Sequence, residues 1–256
     1  MSDYGSKKYW EDRYTSQNNQ TFDWLLDYSS LKYIIEKLSI QKESHILNVG
    51  CGNSEFGENL HSDGFTHIYN IDFCKNVITF MKERNKEKTG LHFQEMDARF
   101  MKFKDEIFDL VIDKCTLDSL LFGSHPFINV AKMLKEISRV LKTGGYYLVI
   151  SYGKPENRLF HFERKFLGYD IKIYTITKKQ EGKEDKICYG YLCKKLISAN
   201  VNIKNYDEVI RSLEIEEHKE EIMKNKENNK SEDNRNCENQ NNDALNNDII
   251  INDNKN

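Results

Sequence analysis

Upstream of Glu216 the apolar positions follow two rhythms. Short runs dense in Val, Ile, Leu and aromatics read as strands: "HILNVG" closing at Gly50, "HIYNID" at Asp72, "LHFQEMD" at Asp97, "IFDLVID" at Asp113 and "GYYLVIS" at Ser151. Between them the period lengthens to that of a helix. Val77, Ile78 and Met81 share a face in "NVITFMKERNK". Phe127, Val130, Leu134, Ile137 and Leu141 share one in "PFINVAKMLKEISRVLKTGG", where Pro126 suits a first turn and Gly144-Gly145 a stop. Ahead of the first strand, "SSLKYIIEKL" puts Leu31, Ile34, Ile35 and Leu38 on one stripe. Strand and helix in alternation predict a parallel sheet with helices on both faces. After the fifth strand, "YDIKIYTITKK" and "KICYGYLCKK" alternate strictly and are joined by the polar "QEGKED", which predicts an antiparallel hairpin. The expected fold is α/β: a Rossmann-like seven-stranded sheet, parallel with a C-terminal antiparallel hairpin.

Composition changes this picture at one end. The chain is 38% hydrophobic and 31% charged, polar for 256 residues. The excess lies in residues 216–256, where 13 of the last 32 residues are Asn. Such a stretch buries too little apolar surface to offset its chain entropy. It is expected to be a disordered tail, helical where it leaves the domain. Its 11 acids and 6 bases account for more than the chain's net charge of −3, which leaves residues 1–215 slightly positive. No nucleic-acid partner is expected from so even a balance. Lys178, Lys179, Lys183, Lys186, Lys194 and Lys195 read as solvated ends of the hairpin. None of the cysteines forms a C-x-x-C pair and no His stands at ligand spacing, so no metal is expected. There is no signal peptide and no apolar run of about 18 residues, so a soluble, cytoplasmic, monomeric chain with no membrane partner is expected.

Candidate chemistry gathers where strands end. In an open parallel sheet, ligands bind at the carboxyl ends of the strands near the switch point. Gly50 and Gly52 allow a sharp turn and close backbone approach, and Asn53 or Ser54 can cap the helix that follows. Cys51 reads as a core residue or a pocket-lining one. Asp72, twenty residues past Gly52, can accept the hydroxyls of a ribose. Asp97 can accept an adenine amino group. A dinucleotide site asks for a third glycine where this chain has Glu55, whose charge would oppose a pyrophosphate. S-adenosylmethionine has no phosphate, and its sulfonium suits aromatic walls. The terminal hairpin points the same way.

Four strings extend that reading: "YGSKKYWEDRY", "FDWLLDYSSL", "ILNVGCGNS" and "VIDKCTLDSLL". Through them the chain resembles the class I seven-β-strand S-adenosylmethionine-dependent methyltransferases. Within these it is similar to the eukaryotic lysine methyltransferases of translation elongation factor 1-alpha. The resemblance covers residues 4–152 well and the hairpin more loosely. It implies that residues 1–45 form an aromatic arm and helix over the cofactor, ahead of a core spanning 46–215. Matched position by position, it implies cofactor contacts from Trp10, Tyr14, Trp24, Gly50, Gly52, Asp72, Phe73, Asp97, Ala98 and Lys114. Without the resemblance, Trp10, Tyr14 and Trp24 read as a packed N-terminal arm. Cys115 stands where that family has glycine, which puts the fine geometry of the pocket in doubt.

Methyl transfer to an amine needs in-line alignment and a neutral nucleophile, so a lysine must shed a proton. Asp113 and Asp118 are the candidate acids at the pocket mouth; Asp118 also reads as a helix cap or surface acid. No Asn-Pro-Pro-Tyr string follows the fourth strand, which argues against amide targets. The expected function is protein-lysine methylation of elongation factor 1-alpha. The alternatives are a methyltransferase for a small molecule or another protein, and a cofactor-binding adaptor with little catalysis. Intact Gly50, Gly52, Asp72 and Asp97 argue against the adaptor.

Overall fold

The period-two runs become β1 (His45–Val49), β2 (His67–Asp72), β3 (Leu91–Glu95), β4 (Phe108–Lys114), β5 (Leu141–Ser151), β6 (Tyr169–Lys178) and β7 (Lys186–Lys195). This is a computed structural model, and it describes residues 4–17, 20–164, 167–178, 185–197 and 206–219. The strands form one seven-stranded sheet in the order β3-β2-β1-β4-β5-β7-β6. Pairing is parallel from β3 through β5, and β7 runs antiparallel to both β5 and β6. The order reverses between β1 and β4, which opens a crevice at their carboxyl ends.

The helices are α1 (Lys7–Ser16), α2 (Tyr28–Lys37), α3 (Phe56–Ser62), α4 (Lys75–Arg84), α5 (Thr116–Leu120), α6 (Pro126–Val140) and α7 (Leu159–Phe162). Adjacent strand residues point to opposite faces and so build two cores. Ile46, Leu110 and Ile112 pack with Leu31 and Ile34 of α2, Phe56 of α3 and Val77 of α4. Leu47, Val49 and Val111 pack with Val130, Leu134 and Ile137 of α6. Helices on both faces are thus what the alternation predicts.

Three local expectations are corrected. Phe127 does not join the α6 core stripe; it is 45% exposed and meets the rings of Phe160 and His161. Gly144-Gly145 does not stop α6, because the helix ends at Val140 and Leu141 is already paired with Phe108 of β4. The glycines sit in the irregular start of β5, with Gly144 at φ 85°. A helix that passes straight into a strand keeps uncapped carbonyls. Lys195 supplies donors for them. Its Nζ donates to the carbonyls of Ser138 at 2.7 Å and Leu141 at 2.6 Å. Lys195 is therefore fully buried rather than solvated, and burial lowers its pKa.

The described residues through Ile210 belong to one compact unit. Residues 211–219 are the described part of a second unit and are helical. The expected disorder of the Asn-rich tail concerns residues that, beyond 219, lie outside the described ones, as does most of the "QEGKED" connection.

Candidate functional site

The chain leaves β1 through Gly50 at φ 60° and Gly52 at φ 52°, both left-handed. Each glycine makes room for a side chain from elsewhere. A Cβ on Gly50 would run into the Thr116 hydroxyl, and one on Gly52 would lie 2.7 Å from the Tyr14 hydroxyl. The helix after the turn starts at Phe56, later than Asn53 or Ser54. Ser54 still accepts from the Phe56 N–H at 3.1 Å, but Asn53 turns its amide to Gln17 at 2.8 Å.

Asp72 lies behind the turn and is almost fully buried. Its Oδ2 accepts from the Gly52 N–H at 3.0 Å and its Oδ1 from the Cys74 N–H at 2.9 Å. These two bonds lower its pKa less than burial raises it, and the carboxyl is pushed up to about 6. Asp97 lies just past β3 and is held by Arg99, whose Nη2 donates to Oδ2 at 2.6 Å. Arg99 also donates to Asn129 at 2.7 Å, so Asp97 is braced against α6.

Residues 4–17 and 20–26 lie over these groups as an aromatic arm. Trp10 stacks on Tyr14 with ring centroids 5.8 Å apart and meets Trp24 edge-on at 5.8 Å. Its indole N–H donates to the Tyr4 carbonyl at 2.6 Å. The arm is fastened at Lys114, whose Nζ donates to Asp23 at 2.8 Å and to the Trp24 carbonyl at 3.1 Å. Arm, turn and strand ends enclose a cavity of about 380 Å³. Every residue that the sequence assigns to the cofactor lines it. Cys51 lines it too while being buried, and burial raises its thiol pKa, so it is both of the things expected.

Residues 40–247 match the family model described as "Methyltransferase domain". The chain belongs to this methyltransferase family. It is 35% identical over 185 residues to an "eEF1A lysine and N-terminal methyltransferase" from Bos taurus, covering 70% of this chain and 26% of the relative. It thus spans about a quarter of that protein's length. It is 28% identical over 183 residues to "EEF1A lysine methyltransferase 4" from Mus musculus, covering 68% of this chain and 71% of the relative. Among solved structures, a SAM-dependent methyltransferase from Methanosarcina mazei superposes with a TM-score of 0.52 at 18% identity, covering 64% of this chain and 98% of that one. The N-methyltransferase NodS from Bradyrhizobium japonicum gives 0.53 at 15% identity, covering 66% and 95%. These two likenesses show the fold.

The cavity of this methyltransferase domain fits S-adenosylmethionine, the cofactor of the family. Carboxylates stand at the ends of β2 and β3, and tryptophan and tyrosine faces suit a sulfonium. Glu55 contributes nothing to that choice. It does not line the cavity, and its Oε1 accepts from Thr21 at 2.9 Å and from Arg84 at 2.8 Å. The expectation that its charge opposes a pyrophosphate is corrected, since the side chain points to α4.

At the other end of the cavity the two candidate acids part company. Asp118 lines it but is neither cap nor surface acid. It is buried, accepts from Ser151 at 2.5 Å and the Tyr152 N–H at 2.9 Å, and pairs with Arg158 at 2.9 Å. Asp113 does not line the cavity at all. It is fully buried and accepts from the Thr116 N–H at 2.8 Å, the Leu117 N–H at 3.2 Å and the Tyr147 hydroxyl at 3.0 Å. Its role at a pocket mouth is corrected to that of an acceptor for the first turn of α5. Burial pushes it up to about 7. A carboxyl raised from 3.8 to about 7 by folding contributes stability below pH 3.8 and loses it as pH rises through 7. Asp113→Asn, which removes the charge, is therefore expected to gain in Tm over the wild type as pH rises from 5 to 8, with methyl transfer retained. Differential scanning calorimetry across that range checks it; a gap that narrows with pH would refute it.

Cys115 takes φ 68°, a left-handed conformation that favours glycine, and its side chain lines the cavity. Tyr4, Phe22, Arg99, Thr116, Phe122 and Tyr152 line the cavity as well, beyond the residues expected there. Tyr4 and Phe22 were visible as members of the aromatic strings. Phe122 and Tyr152 carried no signal, because what places them is the fold of the chain just after α5 and β5.

Proposed function

We propose that this chain methylates a lysine side chain of translation elongation factor 1-alpha with S-adenosylmethionine as donor. One observation carries the substrate. The longer relative is named for two activities and this chain spans 26% of it, whereas the relative it spans to 71% is named for the lysine activity alone. In this reading Asp72 accepts the ribose hydroxyls, and Asp97 accepts the adenine amino group with the capacity that Arg99 leaves. Gly50 and Gly52 let the backbone approach the cofactor. Ala98 and Phe73 flank the base, and Trp10, Tyr14 and Trp24 cover the rest. The bound cofactor supplies an electrophilic methyl group on a cationic sulfur.

The acceptor must arrive uncharged. Asp118 is committed to Arg158, so the aromatic walls do most of that work by desolvating the ammonium, which lowers its pKa. The partner is a folded protein and the working place the cytoplasm. In this reading the enzyme works as a monomer.

The test is transfer of labelled methyl from S-adenosylmethionine to recombinant elongation factor, with the site read by mass spectrometry. Label on a lysine is the expected result. Label on the N-terminus, or only in small molecules or other proteins of a lysate, would sink the substrate assignment.

A further inference from the structure

Lys114 and Asp23 form an ion pair that the aromatic strings conceal. The partners are 91 residues apart in the chain, their N···O distance is 2.8 Å, and their side chains are 7% and 21% exposed. Asp23 also accepts from the Ser54 hydroxyl, and Ser54 lies in the turn that follows Gly52. Lys114 donates to the Trp24 carbonyl as well. One carboxylate thus ties three pieces together: the arm, the glycine turn and the end of β4. Lys114 lines the cavity, while Asp23 stands behind it.

The cavity holds a cationic ligand in the reading above, so an ammonium in its wall needs a reason to be tolerated. A lysine there with its charge unmatched would repel a sulfonium, since charge–charge terms are strong where water is scarce. We propose that Asp23 is a positioning residue with an electrostatic task. It holds the arm over the turn through Ser54 and Lys114, and it neutralises Lys114 so that the cavity admits S-adenosylmethionine rather than favouring its product, which lacks the sulfonium charge. The inference rests on the cofactor reading and adds to it a residue that does not touch the cofactor.

The demethylated product, S-adenosylhomocysteine, offers a clean probe. It keeps the adenosine and amino-acid parts and lacks the sulfonium charge. A merely structural loss of Asp23 would weaken both ligands alike. An electrostatic loss would weaken the methylated one more. For Asp23→Asn, titration calorimetry is expected to show S-adenosylmethionine weakened about tenfold more than S-adenosylhomocysteine. Adding Lys114→Met to Asp23→Asn is expected to bring the ratio of the two affinities back toward the wild-type value, even if both ligands bind more weakly. The ratio is read on folded protein, so a general loss of stability does not imitate it. Equal weakening of both ligands by Asp23→Asn would overturn the inference and leave the cofactor reading standing. A double variant that keeps the skewed ratio would do the same. Failure of the wild type to bind either ligand would bring down the cofactor reading and this inference with it.

Discussion

Asp72→Ala is expected to abolish S-adenosylmethionine binding while leaving a folded protein. The two hydroxyls of a ribose would each donate to a charged acceptor, and such bonds contribute about 1.5–3 kcal/mol apiece. Their joint loss lowers affinity at least about a hundredfold. The fold pays little, because two effects oppose each other. The Gly52 and Cys74 N–H groups lose their acceptor, but a buried charge disappears with it. Raising that carboxyl from 3.8 to about 6 already costs the native state about 3 kcal/mol at neutral pH. The same shift gives a test by pH. The hydroxyls donate to the ionised carboxylate, so affinity is expected to fall as pH drops through about 6. The stability of the ligand-free protein runs the other way at this group. Its folded pKa is raised, so its contribution is full below 3.8 and is lost as pH rises through about 6. Calorimetric titration between pH 5 and 8, with Tm measured without ligand, separates the two trends. Affinity that is flat across that range would remove Asp72 from the ribose.

Much of this site was legible because strands announce their ends. Asp72 closes β2, and Gly50 follows β1 directly; a pleated period of two with a polar stop marks such points in any sequence. The hairpin was legible for the same reason. What stayed hidden depends on partners far along the chain. Glu55 read as a charge beside the ligand until Arg84, 29 residues on, drew it away. Lys195 read as a surface lysine until the carbonyl of Ser138, 57 residues back, claimed it. Asp113 looked like a mouth acid because the apolar run of β4 closes on it, yet alternation along that strand turns it to the α6 side, where Tyr147 meets it. Local pattern records which face a residue takes; it does not record which group neutralises it.

Trp10→Ala should be the most costly substitution in the arm, in stability and in binding together. Trp10 is 8% exposed and sits among Tyr4, Tyr9, Tyr14 and Trp24, within ring contact of all four. Removing a buried tryptophan leaves a cavity that the neighbours fill only in part, at about 3–5 kcal/mol. For a domain of this size that lowers Tm by roughly 10 °C. The effect is not confined to the arm. Tyr14, which Trp10 stacks on, puts its hydroxyl against the bare face of Gly52, so losing the stack frees the ring that closes the turn. Cofactor affinity is therefore expected to fall with stability, by about tenfold or more. Trp10→Phe separates the two contributions. It keeps an aromatic face for Tyr14 and loses the bond from the indole N–H to the Tyr4 carbonyl. It should recover most of the affinity and only part of the Tm. If Trp10→Ala bound S-adenosylmethionine as tightly as the wild type at a temperature where both are folded, the arm would be a scaffold rather than a cover, and the aromatic strings would owe their presence to packing alone.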